Sequence, residues 1–387
     1  MKIIVAPDSF KGSLSAPELC CVIKQGILRV LPDAEVIEIP LADGGEGTMQ
    51  NLIHATSGMI HSTEADDPLG RPRMASYGVL GDNETVVVEM AQASGLPLLT
   101  DEERNPLLAS SYGTGQLIKA ALDKGFRRFI IGLGGSATND AGMGMLRALG
   151  MEFYDEKHNP IPEGGGALSK LLYIDEQHID QRIYESTFIV ASDVTNPLCG
   201  MEGASSVFGP QKGATPEMVA LLDANLHHLA EVVKKQKAID LQSISGGGAA
   251  GGLGAALVAF LGARIESGID IFLNEVNFKN KIKAADLIIT GEGKLDQQTL
   301  SGKVVMGVGR MAKGIGVPVI ALCGQLALSH RELKELGVLS AFSIIKEPCS
   351  LEKAFQHTPD WVTDQIENIV EVMFYNDTKP DKSREQV

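Results

Sequence analysis

At 387 residues the chain exceeds the length that one hydrophobic core usually supports, so two domains are expected. Its 44% hydrophobic and 21% charged residues are typical of a globular protein and exclude a disordered or fibrous chain. The formal net charge of −15 and the shortage of Lys and Arg runs argue against a nucleic-acid partner.

Neither the cysteines nor the apolar segments indicate secretion or a membrane. The five cysteines form no CxxC pair and no metal-ligand spacing with histidine, which predicts reduced thiols in a cytoplasmic protein. The opening apolar run, 3–6, is too short for a secretory signal. The uncharged stretch 241–263 contains SGGGAAGG in its middle, so it predicts a buried helix and no membrane span.

Strands and helices alternate in the first sixty residues. A strand at 2–6 precedes a helix that starts after Ser15, with Ser15 as N-cap and Glu18 at the third helical position. A second strand at 35–41 and a helix at 45–56 follow. This spacing predicts a parallel sheet.

The pattern changes in the middle of the chain and then returns. Three strands of alternating polarity occupy 59–90, with turns at 67–70 and 81–84, and buried strands follow at 128–133 and 186–192. The alternation of strand and helix resumes in the C-terminal part. Its predicted strands are 286–290, 317–323 and 341–345, and its predicted helices are 303–314, 329–336 and 351–375.

These patterns predict an α/β protein with two α/β domains. Residues 1–60 and 280–387 are expected to form a doubly wound parallel sheet of the Rossmann or flavodoxin type, with 376–387 as a disordered tail. Residues 61–279 are expected to form an inserted, mixed α/β domain. The active site is predicted to lie in the cleft between the two domains.

Several predicted strands end in segments that combine glycine with acidic or hydroxyl side chains. Because ligands of parallel sheets bind outside the carboxyl ends of the strands, these segments are candidate binding loops. Glycine backbone and carboxylates together suit a phosphorylated ligand with its metal. The recurrence predicts a phosphate-handling enzyme. The segments are PDSFKGS, LADGGEG, GLGGSATND, SDVTNP and TGEGKLD.

The first segment places an acid, a hydroxyl and a cation within four residues. Asp8 and Ser9 are predicted to bind substrate or phosphate, and Lys11 suits a phosphate or carboxylate because it is a flexible point charge. A solvated loop lysine is the alternative for Lys11. In the next segment Asp43 is a candidate Mg²⁺ ligand, with an acid that satisfies a helix N-terminus as the alternative.

The segment that follows the strand at 128–133 is a candidate anion cradle. The backbone N–H groups of Gly134 and Gly135 and the side chains of Ser136 and Asn139 are expected to bind an anion. They are expected to face the positive end of the next helix. A tight strand–helix turn is one alternative. The other is a dinucleotide fingerprint, GxGxxA, with Asp155 about 20 residues further on.

Two segments supply candidates for the chemical step. Asp193 follows the apolar strand FIVAS and is the preferred general base, with a simple turn before Pro197 as the alternative; Asn196 is a candidate ligand-binding residue. In TGEGKLD, Gly293 and Lys294 are expected at a phosphate, and Asp296 or Glu292 at a metal. A charged capping segment is the alternative for TGEGKLD.

Two further cations lie outside these segments. Lys212, in FGPQKG, is a candidate anion ligand. Arg71, in DPLGR, is a candidate clamp for a substrate carboxylate, which arginine binds through two parallel hydrogen bonds.

Ten segments in the same order along nearly the whole chain resemble the bacterial glycerate kinase family. One departure is Ala141, where the resemblance leads us to expect glycine. The segments are APDSFKGSLSA, PLADGGEGT, DPLGR, ETVVVEMAQASGL, GTGQLIKAAL, GLGGSATNDAGMGMLRALG, SDVTNPLCG, FGPQKGA, GGGAAGGLGAAL and ITGEGKLDQQTLSGK.

The resemblance implies a kinase that phosphorylates D-glycerate with ATP and Mg²⁺. It favours 2-phosphoglycerate as product, although residue chemistry does not distinguish the 2-hydroxyl from the 3-hydroxyl. Residue chemistry assigns the base to Asp193, charge stabilisation to Lys11 and Lys294, and Mg²⁺ binding to Asp43 and Asp296.

Two other functions remain open at this point. GLGGSA is similar to the phosphate loop of GHMP-type small-molecule kinases, and the GxGxxA turn fits an NAD(P)-dependent oxidoreductase. A homodimer is expected only because it is the commonest oligomer.

Overall fold

The structure is a computed structural model that describes residues 1–42 and 47–375. Two predictions fall outside the described residues: Asp43 as a metal ligand, and disorder of the tail 376–387. Among the described residues, no helix is long and apolar enough to cross a membrane.

The β-strands of the described residues follow one another along nearly the whole chain. They are β1 (Lys2–Val5), β2 (Glu35–Glu38), β3 (Met59–Asp66), β4 (Pro72–Val79), β5 (Thr85–Glu89), β6 (Arg128–Gly132), β7 (Glu152–Tyr154), β8 (Tyr173–Asp175), β9 (Thr187–Ala191), β10 (Arg264–Glu266), β11 (Leu287–Leu295), β12 (Val319–Leu326) and β13 (Ser340–Ser343).

The α-helices range from a single turn to 23 residues. They are α1 (Ala16–Val30), α2 (Thr48–Thr56), α3 (Ala91–Ser94), α4 (Tyr112–Asp123), α5 (Met143–Ala148), α6 (Ala204–Phe208), α7 (Pro216–Lys237), α8 (Leu253–Leu261), α9 (Gly268–Glu275), α10 (Phe278–Lys281), α11 (Val304–Lys313), α12 (His330–Glu335) and α13 (Leu351–Met373).

The chain divides into two compact units. The first unit consists of Met1–Asp43 and Ile269–Val387, and the second of Gly44–Gly268. The sequence places these boundaries near residues 60 and 280. Helix α2 belongs to the second unit because it packs on β4 and β5, and the Met49 N–H donates to Glu89 Oε1 over 2.9 Å. The location of the active site between two domains stays a prediction.

The first unit contains a five-stranded parallel sheet in the order β13-β12-β11-β1-β2. Counted within the unit, this is the flavodoxin-like order 2-1-3-4-5. One face of the sheet packs on α1 and α13, and α11 packs on β11 and β12. The predicted doubly wound parallel sheet is confirmed.

Local sequence explains how this unit begins. The residues KIIV form β1 because a central parallel strand is buried on both faces, which favours a continuous apolar run. Helix α1 then starts with the predicted capping box. Ser15 Oγ accepts from the Glu18 N–H over 3.4 Å, and the Ser15 N–H donates to Glu18 Oε2 over 2.9 Å.

The second unit contains a six-stranded mixed sheet in the order β10-β9-β6-β5-β4-β3. Strands β5, β6, β9 and β10 are parallel, whereas β3, β4 and β5 pair antiparallel. A small antiparallel pair, β7 and β8, lies outside this sheet. The prediction of a mixed α/β fold for the inserted part of the chain is therefore confirmed.

One strand differs from its prediction. The sequence places a loop at 290–296, but β11 continues to Leu295, and Lys294 and Leu295 still pair with Gln325 and Leu326 of β12. Gly291 permits this close pairing, since a Cβ there would lie 2.4 Å from the Leu322 carbonyl oxygen. The lysine of this segment therefore projects from a strand.

Candidate active site

The first unit has a crevice where β1 and β11 lie side by side. The chain leaves β1 toward β2 on one side and leaves β11 toward β12 on the other, which is the arrangement that opens a binding crevice at the carboxyl ends of a parallel sheet. A cavity of about 630 Å³ lies there. It brings together five residues predicted from the sequence, namely Asp8, Ser9, Lys11, Gly293 and Lys294.

Further polar residues line the same cavity, among them Glu292, Lys303, Gln325 and Ser350. Glu292 and Lys303 belong to segments that the sequence already marked, but Gln325 and Ser350 were missed. Gln325 lies near the end of an apolar strand, which is the signal that identified the other candidates. Ser350 is the N-cap of α13 and precedes the first turn of a long amphipathic helix.

Hydrogen bonds hold the carboxylates of Asp8 and Glu292 in place at this cavity. The Asp8 N–H donates to the Gly291 carbonyl over 2.8 Å, and Asp8 Oδ1 accepts from the Ser9 N–H over 2.6 Å. Glu292 is buried, and its Oε1 accepts from Thr299 Oγ1 over 2.7 Å. Both acids are therefore held in place beside the lysines of the cavity.

Asp296 contacts Lys294 directly. The Lys294 Nζ lies 3.0 Å from Asp296 Oδ2, and this hydrogen bond is the largest cause of the lowered pKa of Asp296. Asp296 Oδ1 also accepts from the Gln298 N–H over 2.9 Å. The carboxylate stays ionised, and its role as a metal ligand stays a prediction.

In the second unit, β5, β6 and β9 end at one edge of the sheet because they run parallel. The segment after β6 is fixed there by two hydrogen bonds, from the Leu96 N–H to the Gly135 carbonyl over 2.8 Å and from the Ala137 N–H to the Ser94 carbonyl over 2.9 Å. Gly134 and Gly135 are exposed. Their backbone is accessible to an anion.

Ser136 and Asn139 lie deeper in the same segment. Ser136 is buried, and Asn139 is completely buried with its Nδ2 donating to Ser205 Oγ over 3.0 Å. Only the glycine part of the predicted cradle therefore faces outward. Ala141 has φ 51°, in the left-handed region that favours glycine, which explains why the family resemblance leads us to expect glycine there.

The segment after β9 places Asp193 and Asn196. Asp193 is exposed, and its Oδ1 accepts from the Gly268 N–H over 3.2 Å. Asn196 Nδ2 donates to the Glu202 carbonyl over 2.8 Å. The carboxylate of Asp193 is oriented by a backbone donor, and its role as general base stays a prediction.

A glycine segment, 246–252, packs against both of these loops. The Gly248 N–H donates to the Asn196 carbonyl over 3.0 Å, and the Ala141 N–H donates to the Gly251 carbonyl over 3.0 Å. A Cβ at Gly251 would lie 2.1 Å from the Thr138 carbonyl oxygen. Glycine is needed there for close packing.

Lys212 is buried beneath the 134–140 segment. It is 1% exposed, and its Nζ donates to the Thr138 carbonyl over 2.7 Å. Burial lowers its pKa to about 7, while the charge of Asp140 acts in the opposite direction. In this structure Lys212 therefore supports the loop from below, and its role as an anion ligand stays a prediction.

Asp140 is a buried acid whose charge acts on this lysine, and its sequence pattern predicts no role for it. Its carboxylate accepts from the Ser111 N–H and Ser111 Oγ over 2.9 and 2.8 Å, and from the Gly142 and Gly144 N–H groups over 3.1 and 3.2 Å. Burial raises its pKa, and the donors from Ser111 and Gly144 oppose that rise. The loop is thus anchored on a buried acid.

The Lys212→Met variant is expected to change how stability depends on pH. The ordinary pKa of a lysine is 10.5, as expected in the unfolded chain, and burial lowers the pKa of Lys212 to about 7 in the folded protein. Between these values the unfolded chain binds more protons, so Lys212 makes the free energy of unfolding rise with pH by about 1.4 kcal/mol per unit.

Urea unfolding of both proteins at about pH 7, 8 and 9 measures this contribution. The difference in unfolding free energy between the unaltered protein and the Lys212→Met variant should grow with pH in favour of the lysine. A constant difference would show that Lys212 has the same pKa in both states.

Arg71 already binds two carboxylates of its own chain. Its Nε donates to Asp67 Oδ2 over 2.5 Å and its Nη1 to Glu103 Oε1 over 2.6 Å. These partners raise the pKa of the guanidinium and fix the turn between β3 and β4. A substrate carboxylate would have to compete with both, and the clamp stays a prediction.

The structure does not support the dinucleotide fingerprint. That motif requires the next strand to lie parallel in the same sheet, but among the described strands β7 pairs with β8, in antiparallel orientation and outside the six-stranded sheet. Asp155 instead closes a turn, in which its Oδ1 accepts from the Lys157 and Asn159 N–H groups over 2.8 Å.

Comparison with known proteins supports one family. The model of the glycerate kinase family matches residues 3–374. A glycerate kinase of Bacillus subtilis is 47% identical over 94% of this chain and 95% of its own length. The glycerate 2-kinase of Escherichia coli is 46% identical over 95% of this chain and 97% of its own length.

A solved structure agrees over its whole length. A crystal structure provisionally described as glycerate kinase 2 from Salmonella typhimurium LT2 superposes with a TM-score of 0.88 and 44% identity. The match covers 98% of this chain and 100% of that chain. An identity of 44% over nearly the whole chain shows a shared family as well as a shared fold.

Proposed function

The chain belongs to the glycerate kinase family, and we propose that it transfers the γ-phosphoryl group of ATP to the 2-hydroxyl of D-glycerate. The name of the Escherichia coli relative, glycerate 2-kinase, supports the 2-position. The GHMP-type alternative rests on the single segment GLGGSA, whereas the family match covers residues 3–374.

The cavity of the first unit carries this proposal. Lys11, Lys294 and Lys303 line it at the carboxyl ends of β1 and β11, beside the carboxylates of Asp8 and Glu292. Phosphoryl transfer needs little covalent chemistry from a protein, since positioning and charge stabilisation provide most of the catalysis. A cluster of cations at a strand-end crevice provides both.

The reaction is an in-line displacement. The glycerate hydroxyl oxygen forms a bond to the γ-phosphorus while the bond from that phosphorus to the β–γ bridging oxygen breaks, and ADP leaves. We assign to Asp193 the acceptance of the hydroxyl proton, and to Lys11 and Lys294 the stabilisation of charge on the transferred group. The exposed N–H groups of Gly134 and Gly135 are assigned to an anionic group of a substrate.

The acids of the cavity fit Mg²⁺. Within the described residues, no three His, Cys, Asp or Glu side chains lie close enough to hold a metal ion by themselves. Mg²⁺ that accompanies a nucleotide is usually held by one or two carboxylates together with the phosphates. Asp8 and Glu292 provide such carboxylates, with Asp296 as a further candidate; the bound ion would neutralise charge on the phosphates.

A coupled assay of ADP release with ATP and D-glycerate tests the reaction. A separate measurement of NADH absorbance, with D-glycerate and NAD and without ATP, tests the oxidoreductase alternative. Proton-coupled phosphorus NMR of the product shows which hydroxyl of glycerate carries the phosphate. Phosphate on C2 couples to one hydrogen and gives a doublet, whereas phosphate on C3 couples to two and gives a triplet. Absence of ADP release would overturn the proposal, and a triplet would move the phosphate to the 3-hydroxyl.

A further inference from the structure

We propose that the cavity of the first unit is the nucleotide site and that its apolar end binds the adenine ring. This inference rests on the proposed function, because it takes ATP as the phosphoryl donor. We call this part of the cavity the adenine end. It is formed by Ile344, Ile345, Leu351, Ala354 and Phe355.

The two ends of the cavity differ in chemistry. Lys11 and Lys294 lie at β1 and β11, whereas Ile344 and Ile345 of the adenine end follow β13, which β12 separates from β11. A nucleoside triphosphate has the same division, with a flat apolar ring at one end and a polyanion at the other. D-glycerate has three carbons and little apolar surface, so it would leave the adenine end unfilled. The volume of about 630 Å³ is in the range of pockets for ligands of nucleotide size.

The fold holds the adenine end firmly. The Ile344 N–H donates to the Cys323 carbonyl over 2.9 Å, and Ser343 Oγ donates to the Gly324 carbonyl over 2.8 Å, so the end of β13 is fixed to β12. The other wall is the first two turns of α13, which starts at Leu351 after the Ser350 cap. A preformed apolar wall lowers the entropy lost when a ring binds.

Phe355 connects the two ends of the cavity. Ser13 Oγ donates to the Phe355 carbonyl over 3.3 Å, and a Cβ at Gly12 would lie 2.9 Å from the Phe355 ring. The loop that bears Lys11 therefore packs on the helix that forms the adenine end. The distance between the lysine and the apolar wall is thereby set by the fold.

Cys349 provides a direct test because it lines the cavity and is partly exposed. Cys21 is exposed on α1 and does not line the cavity, so it serves as an internal control. Alkylation with iodoacetamide, followed by peptide mass spectrometry, measures both thiols in the intact chain. ADP is expected to slow alkylation of Cys349 by the factor 1 + [ADP]/Kd, about tenfold at nine times Kd, and to leave Cys21 unchanged.

The outcomes separate this inference from the proposed function. If ADP inhibits turnover but does not protect Cys349, the nucleotide binds elsewhere and this inference is overturned. If D-glycerate alone protects Cys349 and ADP does not, the cavity is a glycerate site instead. If no ATP is consumed with D-glycerate, the proposed function fails, and protection by ADP still reports whether this cavity binds nucleotide.

Leu351→Glu tests the adenine end by mutation. Leu351 is 69% exposed and lies in the first turn of α13, where an acid is favourable for the helix dipole, so the variant should fold. The new carboxylate is expected to raise KM for ATP several-fold with little change in KM for D-glycerate. Leu339→Glu is the matched control, since Leu339 is exposed in the same unit and outside the cavity lining. Equal KM values for ATP in both variants would overturn the assignment.

Discussion

Replacement of Asp193 by Asn is expected to lower kcat by about 10²- to 10⁴-fold, the range of a positioned general base. KM for ATP should stay close to that of the unaltered chain, because the change removes basicity and leaves the nucleotide contacts in place. Steady-state kinetics with each substrate varied in turn measures both quantities.

The geometry around Asp193 makes this substitution conservative. The carboxylate accepts a hydrogen bond from the Gly268 N–H over 3.2 Å, and the amide oxygen of Asn can accept the same bond. The side chain is exposed, so an amide in place of the carboxylate carries little desolvation cost. Loss of activity would therefore report proton transfer and not misfolding.

Asp155→Asn is the matched control for this experiment. Asp155 also accepts backbone N–H bonds through one carboxylate oxygen, from Lys157 and Asn159, and lies in a turn of the same unit. The Asp155→Asn variant should retain full activity. Near-normal turnover of Asp193→Asn would exclude Asp193 as the base, and loss of ATP affinity with unchanged KM for D-glycerate would assign it to the metal.

Much of the fold could be predicted because local signals and tertiary structure agree. The apolar runs that end at Val5 and Ala191 are buried parallel strands, and burial on both faces is what makes such runs continuous. Ser15 and Glu18 form the predicted capping box, since the reciprocal bonds involve only residues three apart. Features defined within a few residues are readable from sequence.

The rest depends on partners that are distant in the chain. Lys212 looks like a loop cation in sequence, but it is buried under a carbonyl 74 residues away. Arg71 has the chemistry of a carboxylate clamp, and Glu103, a carboxylate of another segment, binds it. The extension of β11 depends on β12, whose Gln325 and Leu326 continue the pairing. No local pattern identifies such partners.

The candidate site likewise has one part that the sequence predicts and another part that it does not. The segments around Asp8 and Lys294 meet at one crevice because parallel strands end at the same edge, a consequence of topology that the strand pattern already implies. The apolar wall contributed by Ile345 and Phe355 was not anticipated, since apolar residues near a helix start are indistinguishable from core residues in sequence.

Asp140→Ala is expected to cause the largest loss of stability, about 3–5 kcal/mol in the free energy of unfolding. The substitution removes the acceptor of four hydrogen bonds, which come from Ser111, Gly142 and Gly144. Buried donors without an acceptor retain the full penalty of desolvation. Urea unfolding measures the loss. The control is Asp223→Ala, whose carboxylate accepts one backbone bond from Gly200 and should lose only about 1 kcal/mol.

A double-mutant cycle with Lys212→Met separates the hydrogen bonds of Asp140 from its charge. Lys212 gains from the nearby carboxylate, which acts to raise its pKa against the effect of burial. In the Asp140→Ala background that gain is already lost, so adding Lys212→Met should destabilise less than it does in the unaltered chain. Strictly additive losses would mean that the two residues stabilise the 134–140 segment independently. A smaller combined loss would show that the carboxylate of Asp140 and the amino group of Lys212 stabilise each other beneath this segment.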